Sequence, residues 1–376
     1  MTKKLLSLLL ALTLILPSTA FAQGSSLGDI KSHETDADIE LMTEVYNYIQ
    51  EAYPLELDNK AVIEGGLKGM LQAIDPYSDY YTPEEASQLY MELMGHFTGI
   101  GIYIEKQETY INIVETIEGA NAKEAGLLAG DVIISIDGMD TRNMSLSEAS
   151  GMIKGVKGTT VKLGIKRSGV EEILYFEIVR DEVVINPVSY FEIEEGIGYI
   201  KLNEFSQTAA IETRKALVSF NKDETRKIIL DLRNNPGGLL DQAVKIAKEF
   251  VPQGPIVHIR ERNTSLLTYS SYNSVPNYDL VALVNKNSAS ASEILAGAIR
   301  DRDSGILIGE RTYGKGIVQS IIPLENGSLI KMTTAEYLTP KYRSIHGIGI
   351  EPDIIVENVG GVDFQLEKAI EILNNN

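Results

Sequence analysis

The stretch Asn287-Ser288-Ala289-Ser290-Ala291-Ser292-Glu293 follows the apolar run from Asp279 to Asn285 and precedes Ile294 to Arg300. A buried strand that runs into a turn of small residues and then a helix exposes a hydroxyl at the tip of the turn. The unpaired N–H groups of the helix start face whatever that hydroxyl attacks. Ser290 is therefore a candidate nucleophile. Ser290 to Glu293 also spells a capping box, in which the serine only terminates a helix.

A nucleophilic serine needs a base, most often histidine. The chain has His33, His96, His258 and His346, none of them in a recognisable triad motif. The other solution is a lysine kept neutral by burial, which lowers its pKa by roughly 3–5 units when burial is complete. Lys315 is placed for that, between Gly314 and Gly316 and ahead of the apolar run Ile317 to Ile322. Gln319, four residues on, shares a face with it in either a strand or a helix and can hold the amine by a hydrogen bond. Gly309 to Lys315 also satisfies the glycine and lysine positions of a phosphate-binding loop. Gly316 stands where magnesium binding requires Ser or Thr, and a strand follows where that motif requires a helix, so nucleotide binding is rejected.

Asn234-Asn235-Pro236-Gly237-Gly238 lies between the strand Lys227 to Arg233 and the helix Leu239 to Phe250. Its glycines expose N–H groups of the kind a tetrahedral oxyanion needs, and losing one such donor costs roughly 10²–10³ in rate. Gly237 and Ala291 are the expected pair, with Gly238 the near alternative. A plain loop is the other reading of Pro-Gly-Gly.

Ser288 to Glu293, Tyr313 to Gly316 and Asp231 to Gly238 together resemble, in order and spacing, the carboxy-terminal processing peptidases, also called tail-specific proteases. The resemblance implies that Ser290 is the nucleophile, Lys315 the general base and Gln319 the residue that orients the lysine. It implies a multidomain α/β chain. A ClpP/crotonase-like β-β-α serine protease core would occupy residues 182–360, with a PDZ domain inserted at 96–181. Helical segments would lie at 23–95, where a dimer would form, and at 361–376. No cofactor or metal is implied, and the partners would be proteins or peptides with free apolar C-termini. Asp301 matches a family position where an aspartate influences activity, although its spacing also lets it balance Arg300 or Arg302.

Composition agrees with a chain of more than one domain: 376 residues, 44% of them hydrophobic. A net charge of −19 argues against nucleic acid as a partner, and with no cysteine there are neither disulfides nor thiolate metal sites. Met1 to Ala22 reads as an export signal: Lys3-Lys4, the apolar stretch Leu5 to Leu16, and a small-residue end at Ala20-Phe21-Ala22. Its apolar part is too short to span a bilayer comfortably. Cleavage after Ala22 is expected, with an uncleaved anchor as the alternative. Either way the protein would work outside the cytoplasm, in the cell envelope.

Residues 35–95 carry helical spacing, interrupted by turns at Asp75 to Ser78 and at Tyr81 to Glu84, where Pro83 starts a helix. From Phe97 the period becomes two. Strands are predicted at Gly99 to Ile104, Tyr110 to Glu115, Asp131 to Ile136, Thr160 to Lys166 and Glu172 to Val179. A helix opened by Ser145 and Glu148 lies among them. This order resembles a PDZ domain, with Gly99, Ile100, Gly101 and Ile102 as the carboxylate-binding loop. Lys154 and Arg167 are basic positions near the expected groove.

The rest alternates strands and helices. Asn263 to Asn277 is predicted to be a mobile loop over the site, and Asp363 to Leu373 a helix that docks onto the amino-terminal helices. The reading is an exported serine endopeptidase that takes C-termini in its PDZ domain. A catalytically silent PDZ scaffold, or a hydrolase of small acyl groups on the same core, are the alternatives.

Overall fold

The computed structural model describes residues 32–107, 109–184, 186–222, 224–262, 264–272, 274 and 278–375. The export segment expected at Met1 to Ala22 lies outside them. The chain forms two compact units, one up to Ile63 and one from Glu64 onward. The first holds helix α1 (Ser32–Ala52) and the first turn of α2 (Asn59–Gln72). Ile39, Leu41, Met42, Val45 and Tyr48 of α1 are exposed.

After α2, a turn at Asp75 leads into strand β1 (Asp79–Tyr81) and helix α3 (Pro83–Leu93). Thr82 caps α3: Thr82 Oγ1 accepts from the Glu85 N–H at 3.2 Å, and Glu85 Oε2 from the Thr82 N–H at 2.8 Å. Pro83 takes the first helical position, where a missing N–H costs nothing. The helical pattern of 35–95 did not contain β1, since three residues are too few to show a period.

β2 (His96–Gly99) precedes a sheet of β3 (Ile102–Gln107), β4 (Tyr110–Thr116), β5 (Val132–Ile136), β6 (Met139–Asp140), β7 (Thr160–Lys166) and β8 (Leu174–Val179). Its order is β3-β4-β5-β7-β8, with β6 on β5. Helix α4 (Asn121–Glu124) and helix α5 (Leu146–Ile153), which opens on the Ser145–Glu148 capping box, belong to the same module. Ile111, Ile113, Ile133, Ile136, Leu163 and Ile165 form its core, one face of alternating strands. β9 (Asp181–Val184) then returns to pair with β2. Gly99 to Ile104 is not one strand as predicted. The chain breaks at Gly101, whose φ is +83° and where a Cβ would stand 2.1 Å from Ala120 Cβ.

The remaining elements are β10 (Val188–Glu194), β11 (Ile197–Leu202), α6 (Ala209–Lys222), β12 (Lys227–Asp231), α7 (Leu240–Phe250), β13 (Gly254–Glu261), β14 (Leu267–Ser271) and β15 (Asp279–Val284). They continue with α8 (Ala291–Asp301), β16 (Ile306–Gly309), β17 (Ile317–Pro323), β18 (Leu329–Leu338), β19 (Ile354–Ile355) and α9 (Phe364–Asn375). One sheet has the order β10-β11-β12-β15-β16-β19, parallel from β11 to β19. Its strands read as unbroken apolar runs because both faces are covered. Ile228, Leu230, Leu280 and Ala282 pack with α6, α7 and α8, while Ile229, Val281 and Leu283 pack with Ala369 and Leu373 of α9.

The second sheet of this region is antiparallel: β1-β18-β13-β14, with β17 also on β18. β14 corrects the loop expected from Asn263 to Asn277. The alternation of Leu267 to Ser271 against β13 is short, and polar neighbours hide it in the sequence. The docking expected for the C-terminal helix is also corrected: α9 lies on the parallel sheet, held by its apolar face and by Asp363, which pairs with Arg233 at 2.6 Å. Leu373 is 1% exposed, so Leu373→Ala should cost about 2–5 kcal/mol in urea unfolding. A cost below about 1 kcal/mol would show that α9 is not part of this core.

Candidate active site

β15 ends at Val284, and Asn285 to Ala289 turn the chain into α8. Ser288 Oγ fixes that turn, donating to Leu232 O at 2.9 Å and accepting from the Asn285 N–H at 3.0 Å. Ser290 follows with φ +55° and ψ −112°, a strained conformation for a residue with a Cβ. The helix behind it is buried along nearly its whole length, so its position is set by packing. Ser290 and Glu293 form a capping box. Ser290 N–H donates to Glu293 Oε2 at 2.9 Å, and the Glu293 N–H also reaches the Ser290 carbonyl at 2.9 Å. The N–H that meets the hydroxyl thus has the carbonyl as a second acceptor, which leaves the hydroxyl its own proton to give.

Glu293 does more than close the turn. Its Oε2 also accepts the Lys315 N–H at 2.8 Å, and its Oε1 accepts from the Gly314 N–H at 2.8 Å and Thr312 Oγ1 at 2.5 Å. Burial holds the carboxyl above its ordinary range, and these four donors offset that only in part. Only the ionised form lets both oxygens accept from every partner.

The Tyr337 hydroxyl makes a second bridge, 3.0 Å from the Ser290 carbonyl and 2.5 Å from that of Lys315. Complete burial pushes this phenol well above its ordinary value, so it stays a donor. The backbones of Ser290 and Lys315 are thus joined twice, although 25 residues separate them in the chain.

Lys315 Nζ donates to Gln319 Oε1 at 3.1 Å, as the spacing predicts, and among the described residues it makes no hydrogen bond to Ser290. It lies 4.6 Å from the centre of the Tyr77 ring. Burial pushes the amine below its ordinary value, nearby Lys331 pushes the same way, and Asp75 opposes them. The amine therefore loses its proton more readily than a solvated lysine does.

The loop Asn234 to Gly238 lies directly against Ser290. A Cβ on Gly237, φ +109°, would stand 2.8 Å from Ser290 Cβ and 3.0 Å from Ala291 N. Asn235, fully buried, ties the loop down: its carbonyl accepts from the Ala289 N–H at 3.0 Å and Ser292 Oγ at 2.9 Å. Its Oδ1 takes the Gly237 N–H at 2.9 Å. That bond occupies one of the two expected donors. Gly237 is already satisfied, and among the described residues the N–H groups without an acceptor here are those of Gly238 and Ala291.

Asp301 balances neither Arg300 nor Arg302. It pairs with Arg343 and accepts the Lys341 N–H at 2.9 Å, which fastens the end of α8 to the chain after β18. Arg167 is bound to Asp131 at 2.7 Å and does not line the groove. Lys154 does, 5.7 Å from the Phe97 ring centre, with Ile100, Gly101, Ile102, Leu146 and Ile153 around a cavity of about 420 Å³. Glu204, which follows β11, lines the same cavity. Among the described residues the Ile100 and Gly101 N–H groups have no acceptor, as a carboxylate-binding loop requires.

Glu293 as a bridge, Asn235, Tyr77 and Tyr337 were missed in the sequence. Glu293 and Asn235 sit inside recognisable motifs, but Tyr77 and Tyr337 carry no local signal. The buried carboxylate generates a prediction. Glu293→Gln places an amide N–H₂ against backbone donors and should cost roughly 2–4 kcal/mol in urea unfolding, while Tyr337→Phe should cost about 1 kcal/mol. A Glu293→Gln protein as stable as the parent would show that the bridge is not under load.

The model of peptidase family S41 matches residues 196–356, that of the PDZ domain residues 87–166, and that of the activating protease CtpB N-terminal domain residues 18–85. A carboxy-terminal-processing protease of Bartonella bacilliformis is 37% identical, covering 84% of this chain and 74% of its own. The carboxy-terminal processing protease CtpA of Bacillus subtilis is 36% identical over 90% of this chain and 74% of its own. Among solved structures, the photosystem II D1 C-terminal processing protease is 30% identical and matches with a TM-score of 0.56 over 87% of this chain and 89% of that one. A putative S41 protease from Bacteroides fragilis, 19% identical, shares the fold with a TM-score of 0.58 over 86% and 92%. With a PDZ domain ahead of a serine-type peptidase core, this chain belongs to peptidase family S41, the carboxy-terminal processing proteases.

Proposed function

We propose that the chain is an endopeptidase that captures a free apolar C-terminus in the groove at Gly99 to Ile102 and cleaves the delivered polypeptide with Ser290 and Lys315. One observation carries this reading: a single buried carboxylate oxygen holds the backbone N–H of Ser290 and that of Lys315, whose amine is depressed by burial. Strain at Ser290 and a desolvated lysine both cost stability, which a structural turn has no reason to bear.

Neutral Lys315 takes the Ser290 proton as the hydroxyl attacks a peptide carbonyl, and Gln319 holds the amine on that side. The N–H groups of Gly238 and Ala291 stabilise the oxyanion, Ala291 with the positive end of the α8 dipole behind it. Collapse expels the new amine end, with Lys315 returning the proton. Water activated by the same amine then releases the acyl group. The amine bonds to Gln319 in this structure, so it must swing toward Ser290 when substrate arrives, a tightening usual for catalytic groups.

Export, and substrates drawn from the cell envelope, belong to the same proposal and rest on the sequence of Met1 to Ala22. A homodimer is proposed from the exposed apolar residues Ile39, Leu41, Val45 and Tyr48 of α1.

The reading is tested by following cleavage of a loosely folded protein with a free apolar tail, against the same protein with an amidated or charged tail. Ser290→Ala and Lys315→Ala should each lower kcat by roughly 10³-fold or more, and the altered tails should slow the parent enzyme. Because only the neutral amine accepts a proton, kcat/KM should fall in acid and rise through a pKa below the ordinary lysine range. Cleavage that survives Ser290→Ala, or that stays constant into acid, would reject the mechanism.

A further inference from the structure

The Lys315 base is completed by a residue from outside the peptidase region. Tyr77 lies within the stretch matched by the N-terminal domain model, residues 18–85, and not in the peptidase match at 196–356. Its carbonyl accepts a hydrogen bond from Gln319 Nε2, and its ring centre is 4.6 Å from Lys315 Nζ. We propose that the Tyr77 side chain is a positioning element for Lys315: its ring covers the amine, beside the Gln319 amide that the backbone carbonyl of the same residue already orients. This inference rests on the serine–lysine reading above.

The amide is the key step. Gln319 has one acceptor end and one donor end. With Nε2 committed to the Tyr77 carbonyl, Oε1 faces Lys315 at 3.1 Å. Turned over, the amide would present its donors to a lysine that has protons to give, and its oxygen to a carbonyl. Two hydrogen bonds would be lost at once. Tyr77 thereby removes the freedom Gln319 would otherwise have.

Tyr77 is itself held firmly. Asp75 Oδ1 accepts the N–H groups of Tyr77 and Ser78 at 2.7 and 2.8 Å, and Asp75 Oδ2 accepts from Ser78 Oγ at 3.1 Å. Ser78 Oγ in turn accepts the Thr333 N–H at 3.2 Å. Thr333 is the strand partner of Gln319, at the bulge between Val318 and Gln319. One residue of β18 therefore registers both the turn that carries Tyr77 and the glutamine it restrains. β1 continues the clamp, with Asp79 opposite Lys331.

The groups around the amine set what its titration reports. Lys331 of β18 disfavours the charged form, and Asp75 of the turn favours it. Glu293 of α8 is bound to the lysine N–H rather than to its amine, burial and then the Tyr313 phenol push the Tyr77 phenol up, and the His346 ring packs edge-on against Tyr77, with centroids 6.4 Å apart. The Tyr77 face adds a cation–π attraction for the ammonium. An apolar side chain without a ring removes that attraction yet keeps water out.

The test compares Tyr77→Leu and Tyr77→Phe with the parent enzyme on the same tailed substrate, reading kcat, KM and the pH profile. Circular dichroism and the melting temperature establish that each variant is folded. Tyr77→Leu should lower kcat by about 10- to 100-fold with KM little changed, as a displaced base does. It should also move the acid limb to lower pH by roughly half a unit. Tyr77→Phe, which keeps the ring, should restore most of kcat and the parent limb; both variants keep the backbone carbonyl that holds Gln319, so the comparison reads the ring. Parent values in a folded Tyr77→Leu protein would overturn the inference, as would a fall in kcat with the limb unmoved, which marks a merely structural residue. If Ser290→Ala is inactive in the same assay, such a result removes only the role of Tyr77. If Ser290→Ala is active, the serine–lysine reading fails.

Discussion

The Glu293 carboxylate is the constraint on which the rest of the site depends. It is fully buried, and burying a charge is tolerated only where hydrogen bonds replace the lost water. Here the replacements are N–H and O–H groups from the Ser290 turn and from Thr312 to Lys315. Neither segment can move away without leaving a bare charge behind. The cost of desolvation therefore becomes a force that holds two segments together. Tyr337 adds the complementary bridge, its single O–H proton shared between two carbonyls, one from each segment.

That join matters because the two segments belong to different sheets. Ser290 follows β15 in a parallel sheet covered on both faces, while Gln319 lies on β17 of the antiparallel sheet, with Lys315 just ahead of it. The parallel sheet is rigid because α6, α7 and α8 fill one face and α9 the other. The antiparallel sheet takes its edge strand β1 from the far end of the chain. The two sheets share one apolar core, which holds them together without fixing the position of single atoms, so an exact geometry between them needs a specific tie. Polar groups supply it, because their bonds have direction where apolar contacts have none.

Much of this was legible in the residues. The strand–turn–helix around Ser290, the four-residue step from Lys315 to Gln319, and the strands Tyr110–Thr116 and Thr160–Lys166 are local patterns, and local patterns survive in a linear string. The PDZ module and the peptidase family followed from motifs at the right spacing. What stayed hidden is pairing at long range. β1 and β14 are too short to show a period and exist because a neighbouring strand offers an edge. Tyr337 lies within an ordinary alternating strand, and nothing near it marks its hydroxyl. That the Asn235 side chain folds back onto the Gly237 N–H and leaves that of Gly238 open is likewise beyond what composition can reveal. The docking of α9 was misread because an amphipathic helix states that it has a partner without saying which.

The PDZ cavity and the proposed oxyanion donor Gly238 are also parts of one backbone path. Glu204 lines the PDZ cavity, and Phe205, the next residue, is fully buried. The Phe205 N–H donates to the Gly237 carbonyl at 2.9 Å, and its own carbonyl accepts the Leu239 N–H at 2.8 Å. Gly238 is clasped between those two bonds, so closely that a Cβ on it would stand 2.6 Å from the Phe205 oxygen. A donor must be aimed before the reaction to be worth its rate, since reorienting a dipole in the transition state forfeits the gain. Phe205 supplies that aim through backbone bonds, and it does so from the chain segment that borders the PDZ cavity. The residue after Glu204 is thus the one that fixes the direction of the Gly238 N–H.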